Sequence, residues 1–397
     1  MPFLIILLAT GLGLWLVCLL WNAFHARDLL ALSETMSFPL RGRPRVSILI
    51  PARNEAEMLS TTLPGFLSQD YDDYEVILVD DASTDGTGEV GKSFASRYPD
   101  RLRVIRVEEL PAGWAGKPHA LHTAFQAARG DWVLATDADI CFHARALRAG
   151  LWAAEQHHAD LVSIYTYVEC LSFWEKLLLP GFSLMLSTFF PLRRINNPRS
   201  TVALASGGYI LMRRQVWAGL GGYEAIRSEM IDDLNTARIV KHSGHRILAV
   251  LTKDLVRTRM YANLEETWEG LRKNAFAGNR FSVFRLLSVV GGILLCNLLP
   301  LACLLYYGVF QAGTSGGLPE PSGTVLALSL AQYGFSIALH LPLVIYYQVG
   351  WGYALLSPLG AILYACIALD SMARTLLGKG VSWKLRHYGR PPLGGKP

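Results

Sequence analysis

Short apolar runs alternate with amphipathic stretches through the middle of the chain, between about residues 44 and 280. The apolar runs are rich in Val, Ile and Leu, which is typical of buried parallel strands, and the stretches between them have helical spacing. Strands are predicted at 46–50, 76–80, 102–107 and 132–136, with helices at about 55–67, 86–98 and 115–128. Asn54 is expected to cap the first helix. This alternation predicts an α/β domain with a doubly wound, mostly parallel sheet.

The second half of this domain has a less regular pattern. We predict a strand at 161–165, a glycine-bearing strand pair within 203–213 and a helix at 231–242. Between these elements, 171–190 is strongly apolar but is interrupted by Pro180. We expect this segment to be an interfacial helix or a re-entrant pair that docks the domain onto a membrane, rather than a helix that spans it.

Long stretches at 2–21, 286–319 and 321–369 contain no Asp, Glu, Lys or Arg. Because a spanning helix needs about 20 apolar residues, they predict an N-terminal transmembrane anchor in 1–23 and a C-terminal transmembrane region in 285–375. The latter is expected to hold about three helices, the last two separated near 348–352. Only 17% of the 397 residues are charged, against about 25% in soluble domains. We therefore predict an integral membrane protein whose globular domain occupies 44–280.

Basic residues predict the orientation in the membrane. Arg27, Arg41, Arg43 and Arg45 follow the first apolar stretch, so the positive-inside rule puts the α/β domain in the cytoplasm, and we favour a bacterial inner membrane. Four spans would leave the loop 311–322 and the tail 376–397 outside, but the tail is basic, which favours the inside. The two arguments disagree, and either a re-entrant helix among the last ones or a different number of spans would reconcile them. The net charge of +5 suits an anionic membrane surface, and no nucleic-acid partner is predicted.

Acidic residues follow two of the predicted strands. Asp80 and Asp81 end the second strand, and Asp137 and Asp139 follow the fourth. Carboxyl ends of parallel strands meet at the ligand-binding edge of an open sheet. Asp137 and Asp139 are therefore candidate ligands of Mg²⁺ or Mn²⁺, which take oxygen ligands and share them with phosphates. The alternatives are turn and helix capping, and Asp85 is expected to be a cap.

Two further segments are expected at the same edge. Pro51, Ala52, Arg53 and Glu55 follow the first strand; Arg53 is a candidate phosphate contact, whereas Glu55 suits either a ligand or a first-turn acid. Lys117 lies in a glycine-flanked segment that opens a helix, and helix N-termini with a nearby lysine bind anions. The spacing does not fit a Walker loop.

A third acidic pair, Asp232 and Asp233, opens the predicted helix at 231–242. Either carboxylate is a candidate general base that deprotonates an acceptor hydroxyl, and the alternative is helix capping. His119 and His122 lie one helical turn apart, but no third ligand accompanies them, so we expect them to pack rather than bind metal.

Taken in order, these motifs resemble those of the membrane-bound family 2 glycosyltransferases, most closely the hopanoid-associated and carotenoid-type lipid glycosyltransferases. They are Pro-Ala-Arg-Asn-Glu, Asp-Asp-x-Ser-x-Asp-Gly, Gly-Trp-x-Gly-Lys, Asp-Ala-Asp, Gly-Gly-Tyr and Ile-Asp-Asp, with Trp-Lys-x-Arg-x-Tyr in the tail. The resemblance implies a GT-A fold, a nucleotide-diphosphate sugar as donor, a divalent cation and inversion at the anomeric carbon. The Gln-x-x-Arg-Trp motif of processive synthases is absent from the sequence, which favours single-sugar transfer.

The resemblance also implies residue roles. Asp233 would be the base beside Asp232, Asp139 and Asp137 would hold the metal, and the nucleotide-sugar site would contain Pro51, Ala52, Arg53, Glu55, Asp80, Asp81, Lys117 and Asp137. We favour a UDP-sugar as donor. The implied acceptor is a membrane lipid such as a hopanoid or a carotenoid.

Two other functions are open at this point. A transferase that loads a polyisoprenyl phosphate would need a basic pocket at the membrane, for which Arg193, Arg194 and Arg199 are candidates. The other is a catalytically inactive nucleotide-binding sensor or transporter. An ionisable residue deep in the spans would favour transport, and only His340 occupies such a position.

Overall fold

The computed structural model describes residues 2–27, 29–229, 231–311, 322–378, 381–383 and 386–388. It contains two compact units. The α/β unit comprises His25–Glu169 and Phe190–Arg259, and the helical unit comprises Met1–Phe24, Cys170–Phe189 and Met260–Pro397. Each unit is described by itself.

The strands are β1 (Ala31–Leu32), β2 (Val46–Ala52), β3 (Tyr74–Asp81), β4 (Leu102–Val107), β5 (Trp132–Ala135), β6 (Cys141–Phe142), β7 (Leu161–Tyr165), β8 (Tyr167–Val168), β9 (Ile210–Arg213), β10 (Ile247–Thr252), β11 (Val256–Thr258), β12 (Val381–Trp383) and β13 (Arg386–Tyr388). The helices are α1 (Pro2–His25), α2 (Ala56–Leu67), α3 (Thr87–Arg97), α4 (Gly116–Ala127), α5 (Ala146–His157), α6 (Phe173–Phe189), α7 (Leu192–Asn196), α8 (Arg214–Gly219), α9 (Asp232–His242), α10 (Leu264–Gly278), α11 (Val283–Ile293), α12 (Leu299–Gln311), α13 (Gly323–Tyr346), α14 (Gly352–Leu355) and α15 (Ser357–Leu376). A 3₁₀ turn at Gly222–Ile226 precedes α9, and a π turn at Leu294–Leu298 joins α11 to α12.

The described strands of the α/β unit form an eight-stranded sheet in the order β1-β10-β7-β9-β5-β2-β3-β4. All neighbours are parallel except β9, which is antiparallel to both β5 and β7. A smaller sheet contains β6, β11 and β8. The mostly parallel α/β fold that the sequence predicts is therefore confirmed.

Alternate residues of the central strands enter two separate cores. Ile48 and Leu78 pack on one face of the sheet with residues of α2 and α5, whereas Leu49 and Ile77 pack on the other face with residues of α4 and α9. Because both faces are covered, the strands are apolar along their length instead of alternating with polar residues. With helices on both faces of the sheet, the polar residues that follow the parallel strands lie together at one edge of the sheet.

Two local predictions for the α/β unit are wrong. Asn54 does not cap α2: the N-cap residue is Glu55, and Asn54 has a positive φ of 52°. Of the predicted strand pair at 203–213, only β9 forms a strand, because the segment before it turns at the two glycines and bonds to side chains instead of to a partner strand.

In the helical unit, four helices are long and apolar enough to cross a membrane: Pro2–His25, Val283–Gln311, Gly323–Tyr346 and Ser357–Leu376. This agrees with one predicted N-terminal and about three predicted C-terminal helices. Helix α6 continues through Pro180 and packs against α13 and α15. Glu175, fully buried in its first turn, accepts hydrogen bonds from the N–H groups of Leu171 and Ser172. The loop 312–321 and most of the basic tail lie outside the described residues.

Candidate active site

The candidate site lies where the parallel strands β2, β3 and β5 end. Ala52 at the end of β2 is paired with Asp80 of β3, and Asp137 follows β5. Strand β9 runs the opposite way, so it begins at this edge, with Ile210 paired to Ala135. The hydroxyl of Thr136 donates to the carbonyl of Gly208 at 2.8 Å, which fixes the turn before β9 against the acidic segment.

Lys117 lies between carboxylates of two different segments. It is in the first turn of α4, and its Nζ is 2.7 Å from Asp137 Oδ1 and 3.1 Å from Asp232 Oδ2. The Lys117 side chain is 33% exposed and that of Asp232 is 13% exposed. The lysine therefore joins the end of β5 to the start of α9 in a partly open position that a ligand can reach.

Gly207 completes this cluster through its backbone. Its N–H donates to Asp233 Oδ2 at 3.2 Å. A Cβ atom at this position would lie 3.3 Å from Asp137 Oδ2, 3.4 Å from Asp233 Oδ2 and 3.4 Å from Lys117 Nζ. Three charged groups thus converge on one glycine, which leaves space beside them that no other residue type would leave.

The charges in this cluster shift the pKa values of their neighbours. Burial lowers the pKa of Lys117, but the carboxylates of Asp137, Asp232 and Asp233 raise it by more, so it lies well above its ordinary value. Burial and then the charge of Asp232 raise the pKa of Asp233 to about 6, against the opposing effect of Lys117. The adjacent aspartates thus have different environments: Asp232 pairs with the lysine, and Asp233 is held by the N–H groups of Gly207 and Leu234.

Asp139 lies close enough to Asp137 for the two charges to repel. Burial and then the charge of Asp137 raise the pKa of the Asp139 carboxyl to about 6. The backbone carbonyl of Asp139 accepts a hydrogen bond from Thr258 Oγ1 at 3.1 Å, which anchors the turn. Among the described residues, no group of three or more His, Cys, Asp or Glu side chains is arranged to hold a metal ion.

Asp80 and Asp81, which are adjacent in sequence, have different surroundings. Asp80 is fully buried: its Oδ2 pairs with Arg106 Nη1 at 2.7 Å and its Oδ1 accepts from the N–H of Ser83 at 3.0 Å. Arg106 is the residue opposite Asp80 in the β3–β4 ladder. These contacts hold the loop after β3, and Asp81 is the last residue of that strand. We predict from them that Asp80 acts mainly on stability.

Arg53 links the ends of β2 and β3. Its Nη1 donates to the carbonyl of Asp81 at 2.6 Å and is 3.5 Å from that of Ala82. Pro51 and Ala52 are the last residues of β2, and Ala52 is buried. Pro51, Ala52, Arg53 and Asp81 therefore lie along one continuous part of the strand edge.

The N-termini of α2 and α3 share a hydrogen-bonded loop. Asp85 accepts from the N–H of Ala56 through Oδ2 and from Thr87 through Oδ1. It therefore satisfies N–H groups in the first turns of both helices, although the N-cap residue of α3 is Gly86 and not Asp85. Burial alone would raise the pKa of Asp85, but these hydrogen bonds lower it below its ordinary value. The N–H of Glu55 donates to Thr87 Oγ1 at 2.8 Å. This network positions Glu55 at the start of α2.

The histidines of α4 pack as expected. The rings of His119 and His122 lie 5.4 Å and 4.9 Å from the ring of Trp114. Both are therefore part of an aromatic group at the start of the helix that carries Lys117, and they help to orient that helix.

Sequence reasoning missed two residues of the site. Gly207 was expected within a strand, and only its contact with charged residues from three distant segments reveals its place in the cluster. Arg106 was expected only as part of a strand. Only the pairing of β4 with β3 places Arg106 opposite Asp80.

Gly207→Ala should lower activity while leaving the fold intact. The added methyl group would be slightly too close to Asp137, at 3.3 Å, and in ordinary contact with Asp233 and Lys117, both at 3.4 Å. It would therefore fill the space beside the three charged groups and exclude a ligand from it, so donor affinity or turnover should fall by about tenfold, equivalent to about 1.4 kcal/mol. Gly219→Ala is the matched control because a Cβ there has no neighbour within 4 Å. Equal activity of the two variants, measured with Tm as a check on folding, would contradict the placement of Gly207.

Asp80→Asn should lower stability instead of nucleotide binding. The change removes a charge-assisted hydrogen bond from a buried position, which costs about 1–3 kcal/mol. Glu108→Gln is the control: Glu108 pairs with the same Arg106 but its side chain is 71% exposed, so its effect should stay within about 0.5 kcal/mol. Denaturant unfolding and nucleoside-diphosphate titration separate the two roles. Normal stability with weakened nucleotide binding would show that Asp80 contacts the ligand.

The sheet topology and the cluster at its edge define an α/β enzyme domain of GT-A type. Residues 47–220 match the family model described as Glycosyl transferase family 2, which supports a glycosyltransferase domain in this part of the chain. Two curated relatives agree. EpsE of Bacillus subtilis, a glycosyltransferase by its description, is 33% identical over 114 residues, which cover 29% of this chain and 40% of EpsE. Glycosyltransferase AglE of Haloferax volcanii is 32% identical over 121 residues, which cover 30% of this chain and 38% of AglE.

These matches span at most about two-fifths of either relative. Among solved structures, the mannosyltransferase PcManGT from Pyrobaculum calidifontis, in complex with GDP-Man and Mn²⁺, has a TM-score of 0.56 and 21% identity. The similarity covers 94% of this chain and 98% of PcManGT. At this level of identity the comparison establishes a shared fold.

Proposed function

We propose that this protein transfers a single sugar from a nucleotide-diphosphate sugar to a membrane lipid hydroxyl, with inversion at the anomeric carbon. The observation that carries the proposal is the position of Lys117, held between Asp137 and Asp232 beside Gly207 at the carboxyl edge of the sheet. A cation, carboxylates and open space at one point suit a diphosphate leaving group and an activated hydroxyl.

Lys117 is proposed to bind the donor diphosphate. It keeps its positive charge because the surrounding carboxylates raise its pKa, and it lies in the first turn of α4, whose N-terminus favours anions. The nucleoside is proposed to lie along Pro51, Ala52, Arg53, Glu55 and Asp81. PcManGT, which has the same fold, was solved with a nucleotide-diphosphate sugar. We favour a UDP-sugar for this chain on the sequence resemblance alone.

Asp137 and Asp139 fit the donor set of Mg²⁺ or Mn²⁺. Burial and then the charge of Asp137 raise the pKa of Asp139, and a bound cation would relieve the repulsion between the two carboxylates. Two protein carboxylates are also the number that Mg²⁺ commonly takes when it shares its coordination with substrate phosphates. When bound, such an ion neutralises charge on the departing diphosphate. The Mn²⁺ of PcManGT supports a divalent ion of this kind.

Asp233 is the proposed general base. Its raised pKa brings it nearer to neutral pH, where a base is most effective, and Asp232 is engaged by Lys117. Asp233 accepts the proton of the acceptor hydroxyl as that oxygen bonds to the anomeric carbon, while the bond from this carbon to the phosphate oxygen breaks. The products are the glycosylated lipid, a protonated Asp233 and a nucleoside diphosphate. A single displacement of this kind inverts the anomeric configuration.

The helical unit supports a lipid acceptor. Four of its helices are long and apolar enough to cross a membrane, so we propose an integral membrane protein with a cytoplasmic catalytic domain. On α6 and just before it, Leu171, Phe173 and Phe189 are 45–57% exposed, whereas Leu178 is buried against residues of α10 and α15. We propose that the exposed side chains enter the headgroup region and dock α6 on the bilayer.

Removing this apolar surface should reduce transfer to lipid but not donor chemistry. Leu171→Asn with Phe189→Asp would remove two exposed apolar side chains, each worth about 1.5–3 kcal/mol when buried. Transfer in lipid vesicles should fall about tenfold or more, while slow hydrolysis of the nucleotide sugar by water stays unchanged. Tyr98→Asp, at an exposed position of the α/β unit, should alter neither. A parallel loss of both reactions would contradict docking by α6.

A further inference from the structure

The long helix Val283–Gln311 and helix α13 are antiparallel, and this pair is the reference for the directions of the other helices in the helical unit. Val283–Gln311 is a continuous helix of 29 residues, about 44 Å long at 1.5 Å per residue. Eleven residues join it to α13, and Ser329 in the first half of α13 lies beside Cys303 in the second half of the long helix. Leu339 and Leu343, near the end of α13, lie in one cluster with Cys296, near the middle of the long helix. Helix α13 therefore runs back toward the end of the long helix at which Val283 lies.

Helix α1 runs in the same direction as α13. Gln332 Nε2 of α13 donates to the carbonyl of Leu8 at 2.8 Å. Seven residues further along each helix, Trp15 and Leu339 pack in one cluster. Equal steps along both helices mean that they are parallel. The end of α1, from which the chain enters the α/β unit at His25, thus lies at the same end of the bundle as the end of α13. We call this the domain-side end.

Helix α15 does not begin at the domain-side end. Ser357 Oγ, in its first turn, is 2.9 Å from Ser336 Oγ of α13, and the hydroxyl of Tyr333 donates to the carbonyl of Leu355 at 2.8 Å. Ser336 lies ten residues before the last residue of α13, about 15 Å back along the helix axis. The segment 347–356 therefore runs back along α13, and α15 begins about level with the midpoint of α13.

Helix α15 then ends beside α10. Asp370 accepts from Trp268 Nε1 at 2.9 Å and from Arg272 Nη1 at 3.3 Å. Ser371 Oγ accepts from the N–H of Phe276 at 3.2 Å and donates to the carbonyl of Arg272 at 2.6 Å. These residues of α10 immediately precede the long helix, so they mark the domain-side end. Helix α15 therefore runs in the same direction as α13, away from the α12–α13 connection.

We infer that the chain crosses the membrane three times, although four helices are long enough to span it. The crossings are α1, the long helix Val283–Gln311 and α13. The segment 347–356 re-enters from the domain-side end, and α15 returns to that end. A fourth crossing would require α15 to run antiparallel to α13 and to end level with Gln311, but its end lies at α10. The C-terminal tail accordingly lies on the same side of the membrane as the α/β unit.

The chemistry of the re-entrant segment agrees with this path. Backbone N–H and C=O groups at membrane depth must find hydrogen-bond partners within the protein. The N–H groups of Gln348, Val349 and Ala354 donate to carbonyls of the segment itself or of the end of α13, and Ser336 and Ser357 are hydrogen-bonded where α15 begins. Val349 and Ala354 are buried, whereas Trp351 is 72% exposed. Gln348 and Gly350 have positive φ values of 54° and 91°, which allow the reversal after α13.

The charged residues at the end of α15 also support three crossings. Asp370 is paired with Arg272 and Arg374, so this end of the helix holds an ion cluster that belongs at a membrane interface rather than in its centre. The basic tail that follows then lies on the side of Arg27, Arg41, Arg43 and Arg45. Three crossings remove the conflict between span counting and the positive-inside rule.

Cysteine labelling of the full-length chain in intact cells and in inverted vesicles tests the three-crossing path. The probes are Ser315→Cys in the α12–α13 connection, Gly395→Cys in the tail, and the native Cys141, which is exposed on the α/β unit. A membrane-impermeant maleimide is applied from each side, and labelled peptides are identified by mass. We expect Gly395→Cys to react from the same side as Cys141 and Ser315→Cys from the opposite side.

Reaction of Gly395→Cys from the side of Ser315→Cys, or from both sides, would overturn the inference. A second measurement needs no cysteine substitution. Green fluorescent protein or alkaline phosphatase is fused after Pro397 of the unchanged chain in a bacterial host, with the same reporters inserted at Ser315 as the comparison. If the α/β unit is cytoplasmic, the C-terminal fusion should fluoresce and lack phosphatase activity, and the Ser315 insertion should show the reverse. Active phosphatase at the C-terminus would overturn three crossings independently of any catalytic activity.

Discussion

Asp233→Asn should lower kcat by about 10²–10⁴, the usual contribution of general-base catalysis, with little change in donor affinity. Asparagine keeps the size of the side chain and can still accept from the N–H of Gly207, so the turn before β9 should remain in place. What is lost is the site that takes the acceptor proton. Steady-state kinetics with saturating donor, together with a nucleoside-diphosphate titration, separate the loss of turnover from any loss of binding.

Asp232→Asn is the matched comparison because it changes the adjacent carboxylate in the same way. It removes a partner of Lys117, so donor affinity should weaken more than in Asp233→Asn. It also removes the negative charge of Asp232, which is the second cause, next to burial, of the raised pKa of Asp233. Because the deprotonated base is the active form, kcat of the unchanged enzyme should fall as pH drops below about 6. In Asp232→Asn this fall in kcat should occur at lower pH.

The opposite pattern identifies the other residue as the base. If Asp232→Asn loses turnover by orders of magnitude and Asp233→Asn is nearly normal, the proton goes to Asp232. If both variants turn over normally, the acidic pair is only a cap of α9, and the proposed mechanism fails.

Asp139→Asn should abolish sugar transfer and weaken metal-dependent nucleotide binding while the domain stays folded. The substitution removes one of two carboxylates proposed to share the cation, and a neutral amide is a weaker ligand for Mg²⁺ or Mn²⁺. It also removes the repulsion that raises the pKa of Asp139, so the metal-free protein should be no less stable. Nucleotide affinity measured with and without the cation checks the first effect, and Tm checks the second.

Asp72→Asn serves as the control for the metal site because that side chain is 88% exposed and pairs only at the surface with Arg43 among the contacts of the described residues. It should leave activity and metal dependence unchanged. Chelation gives the same information without mutation: EDTA should stop transfer by the unchanged enzyme, and added Mg²⁺ or Mn²⁺ should restore it. Full turnover in EDTA would exclude the proposed metal role of Asp137 and Asp139.

The sequence predicts the sheet well because its strands are encoded locally. Each apolar run is buried on both faces, and the polar residue that ends each run, such as Asp81 or Asp137, must fall at the shared edge. The same local logic cannot separate Asp80 from Asp81. That distinction depends on Arg106, which reaches Asp80 only after β4 pairs with β3.

The cluster around Lys117 depends still more on long-range folding. Gly207 and Asp232 come from segments whose local patterns are those of a turn and a helix start, and neither predicts a shared contact. In the helical unit, hydropathy finds the apolar helices but carries no information on their direction. The direction of α15 follows from contacts of Ser357 and Asp370 with distant helices, which no apolar pattern specifies.

The most direct test of single-sugar transfer to lipid uses the purified full-length protein in vesicles of membrane lipid extract. Nucleotide sugars are supplied one at a time with Mg²⁺ or Mn²⁺, and the extracted lipids are analysed by mass. We predict that one lipid class gains a single sugar residue, that this gain disappears in EDTA, and that Asp233→Asn loses it while still binding nucleotide. If the protein binds the nucleotide sugar but no lipid gains a sugar, or if the sugar accumulates as a polymer, single-sugar transfer to a membrane lipid is wrong.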